Sequence, residues 1–174
     1  MPAPAKRIPE PGLRNTFTSM RRRLHMKRLL LALILAGLTQ VAASADNGLI
    51  SVKSAHDVAT TTNRLVDVLV KHGMTIFAQV DHAAGAKQVE MSLPPTELVI
   101  FGNSKVGTVL MKCGRSIGID LPLKALVWED DHGRTWLSYN DPRYLGRRHG
   151  LKGCEKALGK VDKALAGFAE AATE

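Results

Sequence analysis

Three segments after residue 46 show the hydrophobic pattern of strands. The run GLISVKS (48–54) is short and half apolar. The run MTIFAQV (74–80) alternates, which is typical of a half-buried strand, and the apolar positions expected on one face are Met74, Ile76, Ala78 and Val80. TELVIFG (96–102) is apolar on both faces. We therefore expect the third segment at the centre of a sheet.

Two further strands are predicted around a turn. The segments LKALVWED and RTWLSY flank Asp130-Asp131-His132-Gly133. Acidic residues followed by Gly between two apolar runs are typical of a hairpin, with Gly133 in the left-handed conformation.

Segments with the hydrophobic spacing of helices lie between and after these strands. Ser54 and Asp57 have the spacing of a capping box before a helix that should end at Gly73. Shorter helices are expected around 82–89 and 105–111, and another between Pro142 and Gly150. The clearest pattern is the last one, an amphipathic helix with its apolar stripe at Cys154, Leu158, Val161, Leu165 and Phe168.

The resulting order, β-α-β-β-β-β-α, predicts a single α+β domain over residues 46–174. Strands joined by hairpins and short loops, with helices before and after, favour a mostly antiparallel sheet of four or five strands packed on two main helices.

The first 45 residues read as an N-terminal extension followed by a signal peptide. Met26-Lys27-Arg28 precedes the apolar run LLLALILAGL (29–38) and a polar end with small residues at Ala43 and Ala45. This pattern predicts cleavage after Ala45 and a periplasmic protein, with the true start at Met20 or Met26. The apolar run is about half the length of a membrane span, so an uncleaved anchor is the less favoured alternative.

The net charge of +8 belongs mostly to this leader. Residues 1–45 hold eight Lys or Arg and one acid, Glu10, so the remaining chain has 16 basic and 15 acidic residues. A nearly neutral domain gives no reason to expect nucleic acid as a partner.

Two cysteines, Cys113 and Cys154, are the only ones in the chain. In an oxidising compartment an even count favours a disulfide. Two buried free thiols are the alternative, because Cys is often a small core residue.

Three blocks resemble the bacterial domain-of-unknown-function family 302. They are GMTIFAQVDHAAGA, LPPTELVIFGNSKVGTVLM and IDLPLKALVWEDDHGRTWLSYNDP, and the resemblance covers about residues 48–150. It implies a compact α+β fold with a helix-backed antiparallel sheet that pairs into a homodimer. The family has no established activity.

The resemblance implies that particular motifs of the family correspond to positions in this chain. The motif positions are Asp81-His82, Gly102-Asn103, Asp120-Leu121-Pro122, Trp128 and Tyr139. The family usually has Pro after Gly-Asn, where this chain has Ser104. Ser can cap a helix at that position, so we expect the turn to be kept.

Asp81 and His82 are not expected to work as a dyad, because adjacent residues face different directions on strands and helices. Asp81 suits a helix N-cap. His82 could be a core residue, a ligand-contacting or pH-sensing group, or a metal ligand or general base. No second His lies at helical or strand spacing from His82, so a metal-binding role is the less favoured interpretation.

The leading hypothesis is therefore an exported, non-catalytic homodimer that binds a small ligand or a partner protein in the cell envelope. Its pocket is predicted to include His82, Asn103, Asp120 and Tyr139. The first alternative is an enzyme with His82 as general acid or base, oriented by Asp120 or Tyr139. The second is a periplasmic metal-handling protein. No cofactor is indicated.

Overall fold

A computed structural model describes residues 47–174, and the segment Asp46–Glu174 forms one compact unit. Its five strands are β1 Leu49–Lys53, β2 Thr75–Asp81, β3 Thr96–Gly102, β4 Leu123–Glu129 and β5 Thr135–Asn140. The helices are α1 Val58–Lys71, α2 His82–Gln88, α3 Ser104–Cys113, α4 Pro142–Arg148 and α5 Glu155–Thr173, and a 3₁₀ helix spans Arg115–Ile119.

The strands form one sheet in the order β1-β5-β4-β3-β2, and every neighbouring pair is antiparallel. The predicted α+β class and element order are confirmed. The apolar strand β3 lies inside the sheet between β4 and β2, as expected for a segment without a polar face.

The core lies between one face of the sheet and helices α1 and α5. The buried sheet residues are Val99, Phe101, Ala125, Val127, Leu137 and Tyr139. Leu65 and Leu69 of α1 are buried against them, as is the apolar stripe of α5. The burial of α5 fits the amphipathic pattern predicted for it.

The opposite face of the sheet, which we call the open face, carries the other row of side chains. Across the strands this row is Ser51, Ser138, Leu126, Leu98 and Val80. A depression of about 610 Å³ on this face is lined by Leu98, Leu126 and Trp128. The open face therefore presents partly exposed apolar side chains to solvent.

A β-bulge interrupts β2, which corrects the predicted alternation. Ile76 lies opposite Phe101, whereas Ala78 lies opposite Ile100, and the register shifts between them. Because Phe101 and Ile100 point to opposite faces, so do Ile76 and Ala78. The extra residue at the bulge is Phe77.

Local caps define the helix starts. Asp81 Oδ1 accepts a hydrogen bond of 2.8 Å from Ala84 N, so its predicted capping role is confirmed. The predicted capping box at Ser54 is wrong, because the N-cap of α1 is Asp57, which accepts from Thr60 N. Ser54 instead bonds the Thr61 hydroxyl at 2.7 Å.

Cys113 and Cys154 form a disulfide whose Cα atoms lie 6.3 Å apart. Cys113 is the last residue of α3, and Cys154 immediately precedes α5. The bridge therefore joins the C-terminal end of α3 to the beginning of α5.

The predictions for the leader lie outside the described residues. These are the extension and signal peptide over 1–45, the start at Met20 or Met26, and cleavage after Ala45. Within residues 47–174, no helix combines the length and apolar character required to span a bilayer.

Candidate functional site

An apolar groove of about 570 Å³ opens between α3, α5 and the adjoining ends of β2, β3 and β4. Helix α3 supplies one wall with Val106, Gly107 and Met111, and α5 supplies the other with Val161 and Phe168. Ligand pockets have this kind of size and lining.

The floor of the groove depends on the bulge in β2. Phe77, the bulged residue, lines the groove together with Phe101 and Gly102. A Cβ atom at Gly102 would make an ordinary contact of 3.6 Å with the Phe77 ring. The bulge thus places an aromatic ring where a regular strand would not.

Several lining side chains remain in contact with solvent. The exposed fraction is 54% for Phe77, 38% for Val106 and 37% for Met111. Exposed apolar side chains are unremarkable when scattered, but here they gather in one concave site. An apolar ligand that removes these side chains from water would lower the free energy of the protein.

Both ends of α3 are anchored. At its start, Asn103 Oδ1 accepts hydrogen bonds from Lys105 N and Val106 N, and Asn103 Nδ2 donates to Gly73 O at 3.4 Å. At its end, the disulfide joins α3 to the start of α5. Asn103, a predicted site residue, therefore lines the groove and also fixes the wall.

Asp120 belongs to a polar cluster beside the groove. Its Oδ2 lies 2.6 Å from His149 Nε2, and its Oδ1 lies 3.5 Å from Arg148 Nη1. The other ring nitrogen of His149, Nδ1, lies 3.1 Å from Ser116 Oγ. The imidazole is only 6% exposed, whereas Ser116 is exposed. The next residue along the chain, Leu121, lines the groove.

This Ser116–His149–Asp120 cluster was not predicted. Ser116 and His149 lie 33 positions apart, so no local motif joins them. The imidazole partner of Asp120 is His149, whereas the enzyme hypothesis paired Asp120 with His82.

Tyr139 lies on the buried face of β5 and is 5% exposed. It lines a different cleft, between β1 and α5, together with Arg143 and Asp162. Burial raises the pKa of Tyr139, and the negative charges of Asp162 and Asp141 raise it further. The phenol is consequently protonated at neutral pH.

His82 is separated from the other predicted residues. It is the exposed first residue of α2, directly after Asp81 at the end of β2. Asp81 pairs with Glu97, while Gly102 pairs with Thr75 at the other end of the same strand pair. At about 3.4 Å per residue, His82 and Asn103 are roughly 20 Å apart along the strands. They do not share a pocket.

Metal ligands do not gather in the part of the chain that the structure describes. Within residues 47–174, no group of three His, Cys, Asp or Glu side chains is arranged to hold a metal ion. The metal-handling hypothesis therefore has no site around His82.

Comparison with known proteins agrees with the fold. The family model described as domain of unknown function DUF302 matches residues 50–168. The chain belongs to the DUF302 family. This match covers the sheet, the groove and most of α5.

A solved DUF302 structure shares this architecture. It is the crystal structure of an uncharacterized conserved DUF302 protein from Bacillus stearothermophilus, superposed with a TM-score of 0.66. The sequences are 16% identical, and the match covers 72% of this chain and 98% of that chain. The likeness shows that the DUF302 fold is common to both proteins.

Curated relatives are more similar in sequence. This DUF302 chain is 51% identical over 111 residues to the fluoride-specific ion channel FluC 1 of Brucella suis. It is equally similar to FluC 1 of Brucella abortus and FluC 2 of Brucella melitensis. The match covers 64% of this chain but only 44% of the B. suis protein and 41% of the other two. The chain thus spans less than half the length of these relatives.

Proposed function

We propose that this DUF302 protein is an exported binding protein that takes up an apolar small molecule in the groove between α3 and α5. The observation that carries the proposal is the apolar lining of a concave site of about 570 Å³, open to solvent at Phe77, Val106 and Met111. Exposure of these side chains is unfavourable in the free protein, and a ligand would relieve it.

The anchoring of α3 supports binding rather than simple collapse. A loose helix could close onto α5 and bury its own apolar side chains. Here Asn103 fixes one end of α3 and the disulfide fixes the other. Because α3 is held away from α5, the site is preformed, and this lowers the entropy cost of binding a ligand.

A glycine in the wall allows a direct test. A Cβ at Gly107 would meet only Leu121 Cδ1, at 3.7 Å, so a larger side chain fits without a backbone clash and projects at the groove. We expect Gly107→Leu to abolish binding of the neutral fluorophore N-phenyl-1-naphthylamine, which the native protein should bind with increased emission.

The matched control is Gly167→Leu. Gly167 lies on the exposed side of α5, and a Cβ there would have no neighbour within 4 Å. This variant should bind the fluorophore as the native protein does. Equal binding by Gly107→Leu and Gly167→Leu, or no binding by the native protein, would refute the groove as the binding site.

A second candidate function is ester hydrolysis at the Ser116–His149–Asp120 cluster. Asp120 can accept a hydrogen bond from Nε2–H of His149, which leaves Nδ1 to accept the Ser116 proton. Ser116 Oγ would then bond to the ester carbonyl carbon, and the departing alkoxide would take the proton from His149. In the second step water would give a proton to His149 and bond to the acyl carbon, and the carboxylic acid would leave as Ser116 Oγ takes that proton back. The specific observation in favour is the continuous chain of hydrogen bonds ending at an exposed hydroxyl.

A fluorophosphonate probe tests this second candidate. Ser116 Oγ would bond to phosphorus, fluoride would leave, and His149 would take the hydroxyl proton. Ser116→Ala should prevent labelling, whereas Ser104→Ala, a change at a serine of the groove wall, should not. Absence of labelling in the native protein, or its persistence in Ser116→Ala, would rule out the esterase.

The domain is also proposed to act as a homodimer in the periplasm. The partly exposed apolar side chains of the open face, Leu98, Leu126 and Trp128, supply a surface for self-association. The charged start Met26-Lys27-Arg28 before the apolar run 29–38 supports export, and protein recovered from the periplasm should begin near Asp46. A different N-terminus would contradict the proposed signal peptide.

The curated relatives suggest one protein partner. Because those relatives are named fluoride-specific ion channels and more than half of their length lies outside the matched segment, we propose that this domain operates next to such a channel in the envelope. The expected result is co-purification of the mature domain with the unmatched portion of the B. suis relative when the two are co-expressed. Separation of the two during purification would argue against this partner.

A further inference from the structure

The charges around the groove indicate which apolar molecules it accepts. Among its lining residues, the only one with a charged side chain is Lys160, on α5. The aliphatic stem of a Lys can lie along an apolar surface while its ammonium group stays in water. Lys160 thus puts one positive charge at the boundary between the apolar lining and solvent.

Helix α3 and the 3₁₀ helix after it add basic residues outside the groove. The segment from Asn103 to Ile119 carries Lys105, Lys112 and Arg115 and no acidic residue. None of the three lines the groove, and Lys112 and Arg115 line a separate depression at the end of α3. Within residues 47–174, Lys160 forms no ion pair with an acidic side chain, and the carboxylate of Asp120 is engaged by His149 and Arg148. The positive charge of Lys160 at the groove is therefore not neutralised by an acidic side chain.

The groove also has uncharged polar residues in its lining. The hydroxyl groups of Ser104 and Thr108 line the α3 wall. The Asn103 carboxamide is already engaged by backbone groups at both its oxygen and its nitrogen. The groove consequently offers two hydroxyl groups and one cation to a headgroup and an apolar surface to a hydrocarbon chain.

We propose that the ligand is a single-chain anionic amphiphile, with its alkyl chain in the groove and its headgroup at Lys160. This inference rests on the proposed function, and it adds the charge and shape class of the ligand. A carboxylate at the end of an alkyl chain satisfies both parts of the site. A cationic amphiphile of the same length would meet the unneutralised charge of Lys160.

Three compounds, each built on an unbranched ten-carbon chain and differing in the headgroup, test the proposal. Decanoate, 1-decanol and decyltrimethylammonium would each displace N-phenyl-1-naphthylamine from the native protein below their micellar concentrations. Decanoate is expected to displace the fluorophore at about ten-fold lower concentration than decanol, the size of a single charge-assisted interaction. Decyltrimethylammonium should be weaker than decanol.

Lys160→Met separates the charge from the groove itself. The variant keeps an unbranched apolar stem, and on this variant decanoate should displace the fluorophore at the same concentration as decanol. Lys163→Met is the matched control, because Lys163 lies on the same helix but lines the cleft beside β1. It should retain the preference for decanoate.

The possible failures are distinguishable. Equal displacement by decanoate and decanol would overturn the anionic class and leave the groove as an apolar site. No fluorophore binding by the native protein would overturn both proposals. Sedimentation with phosphatidylglycerol vesicles, without displacement by decanoate, would replace the proposed ligand with a membrane surface.

Discussion

At the scale of single residues, Asp81 and His82 differ in what they contact. Asp81 Oδ1 accepts a hydrogen bond from Ala84 N and so caps α2. His82, the next residue, is exposed. The role of Asp81 could be predicted because it depends on three neighbouring residues. The surroundings of His82 depend on how strands pair, which the local sequence does not specify.

Substitution of the two neighbours should have unequal effects on stability. Asp81→Ala removes a cap and is expected to lower the free energy of unfolding by about 1 kcal/mol. His82→Ala changes an exposed side chain and should stay within about 0.5 kcal/mol of the native protein. Urea unfolding followed by circular dichroism measures both. A larger loss for His82→Ala than for Asp81→Ala would show that His82 has a structural partner.

At the scale of elements, the β4–β5 hairpin is organised by Asp130. Its Oδ1 accepts from the backbone N–H groups of His132 and Arg134. Its Oδ2 accepts from Arg134 Nε at 2.8 Å and from Trp136 Nε1 at 2.9 Å. Desolvation, the largest single effect, raises the pKa of Asp130. The hydrogen bonds from Trp136, Arg134 and His132 outweigh it and hold the pKa well below its usual range.

The depressed pKa of Asp130 predicts a pH-dependent contribution to stability. A carboxyl group with a lowered folded-state pKa stabilises the protein above its unfolded pKa of about 3.9, and this stabilisation is lost as the pH falls toward the folded-state pKa. Asp130→Asn replaces the Oδ2 acceptor with a donor. Its Tm should therefore be lower than that of the native protein at pH 7.

The difference in Tm should shrink as the pH falls below about 4. Thermal unfolding by circular dichroism between pH 7 and pH 2 gives the two curves. Asp131→Asn provides the control at the next position of the same turn, since no hydrogen bond to the Asp131 side chain is found among the described residues. A Tm difference for Asp130→Asn that is constant with pH would contradict this account.

The position of helix α3 is fixed by a covalent bond as well as by packing. Its exposed apolar residues include Val106, Val109 and Met111, so packing covers only part of its surface. The sequence predicted a short helix over 105–111 with Ser104 as its cap, whereas the structure shows that the N-cap is Asn103. The distance of α3 from α5 could not be predicted, since it is fixed by the pairing of Cys113 with Cys154 across 41 positions.

Reduction of the disulfide should destabilise the protein substantially. Closure of a loop of this length is worth on the order of 4 kcal/mol in the chain-entropy model. Urea unfolding with and without a phosphine reductant measures the loss. The double variant Cys113→Ala/Cys154→Ala should unfold at the lower midpoint in both conditions. Identical midpoints for the native protein with and without reductant would contradict a stabilising bridge.

At the scale of the whole molecule, the sheet has one face covered by α1 and α5 and one open face. Leu98 and Leu126 lie opposite each other on the open face. The hydroxyl of Ser138 bonds to Trp128 Nε1 at 2.9 Å and to Ser51 Oγ at 2.8 Å on the same face. An apolar centre with satisfied polar neighbours is suited to pairing of two identical faces about a twofold axis.

A charge at the centre of the open face should prevent the proposed dimer. Leu126→Lys would place like charges opposite each other across an isologous interface, so we expect a monomer in light scattering coupled to size-exclusion chromatography. Val70→Lys is the control, because Val70 is 59% exposed on α1, away from the sheet. A native protein that is monomeric at high concentration, or a Leu126→Lys variant that stays dimeric, would contradict this interface.

The elements and their order follow from local sequence, because helix and strand periodicity, caps and turn residues act over fewer than ten positions. The sequence predicted the α+β class, the capping role of Asp81 and the buried stripe of α5. It did not reveal the bulge that directs Phe77 into the groove, nor the contact of Asp120 with His149. These arise from strand register and from the packing of segments about 30 positions apart, because the meeting of distant side chains depends on how the elements pack and not on local pattern.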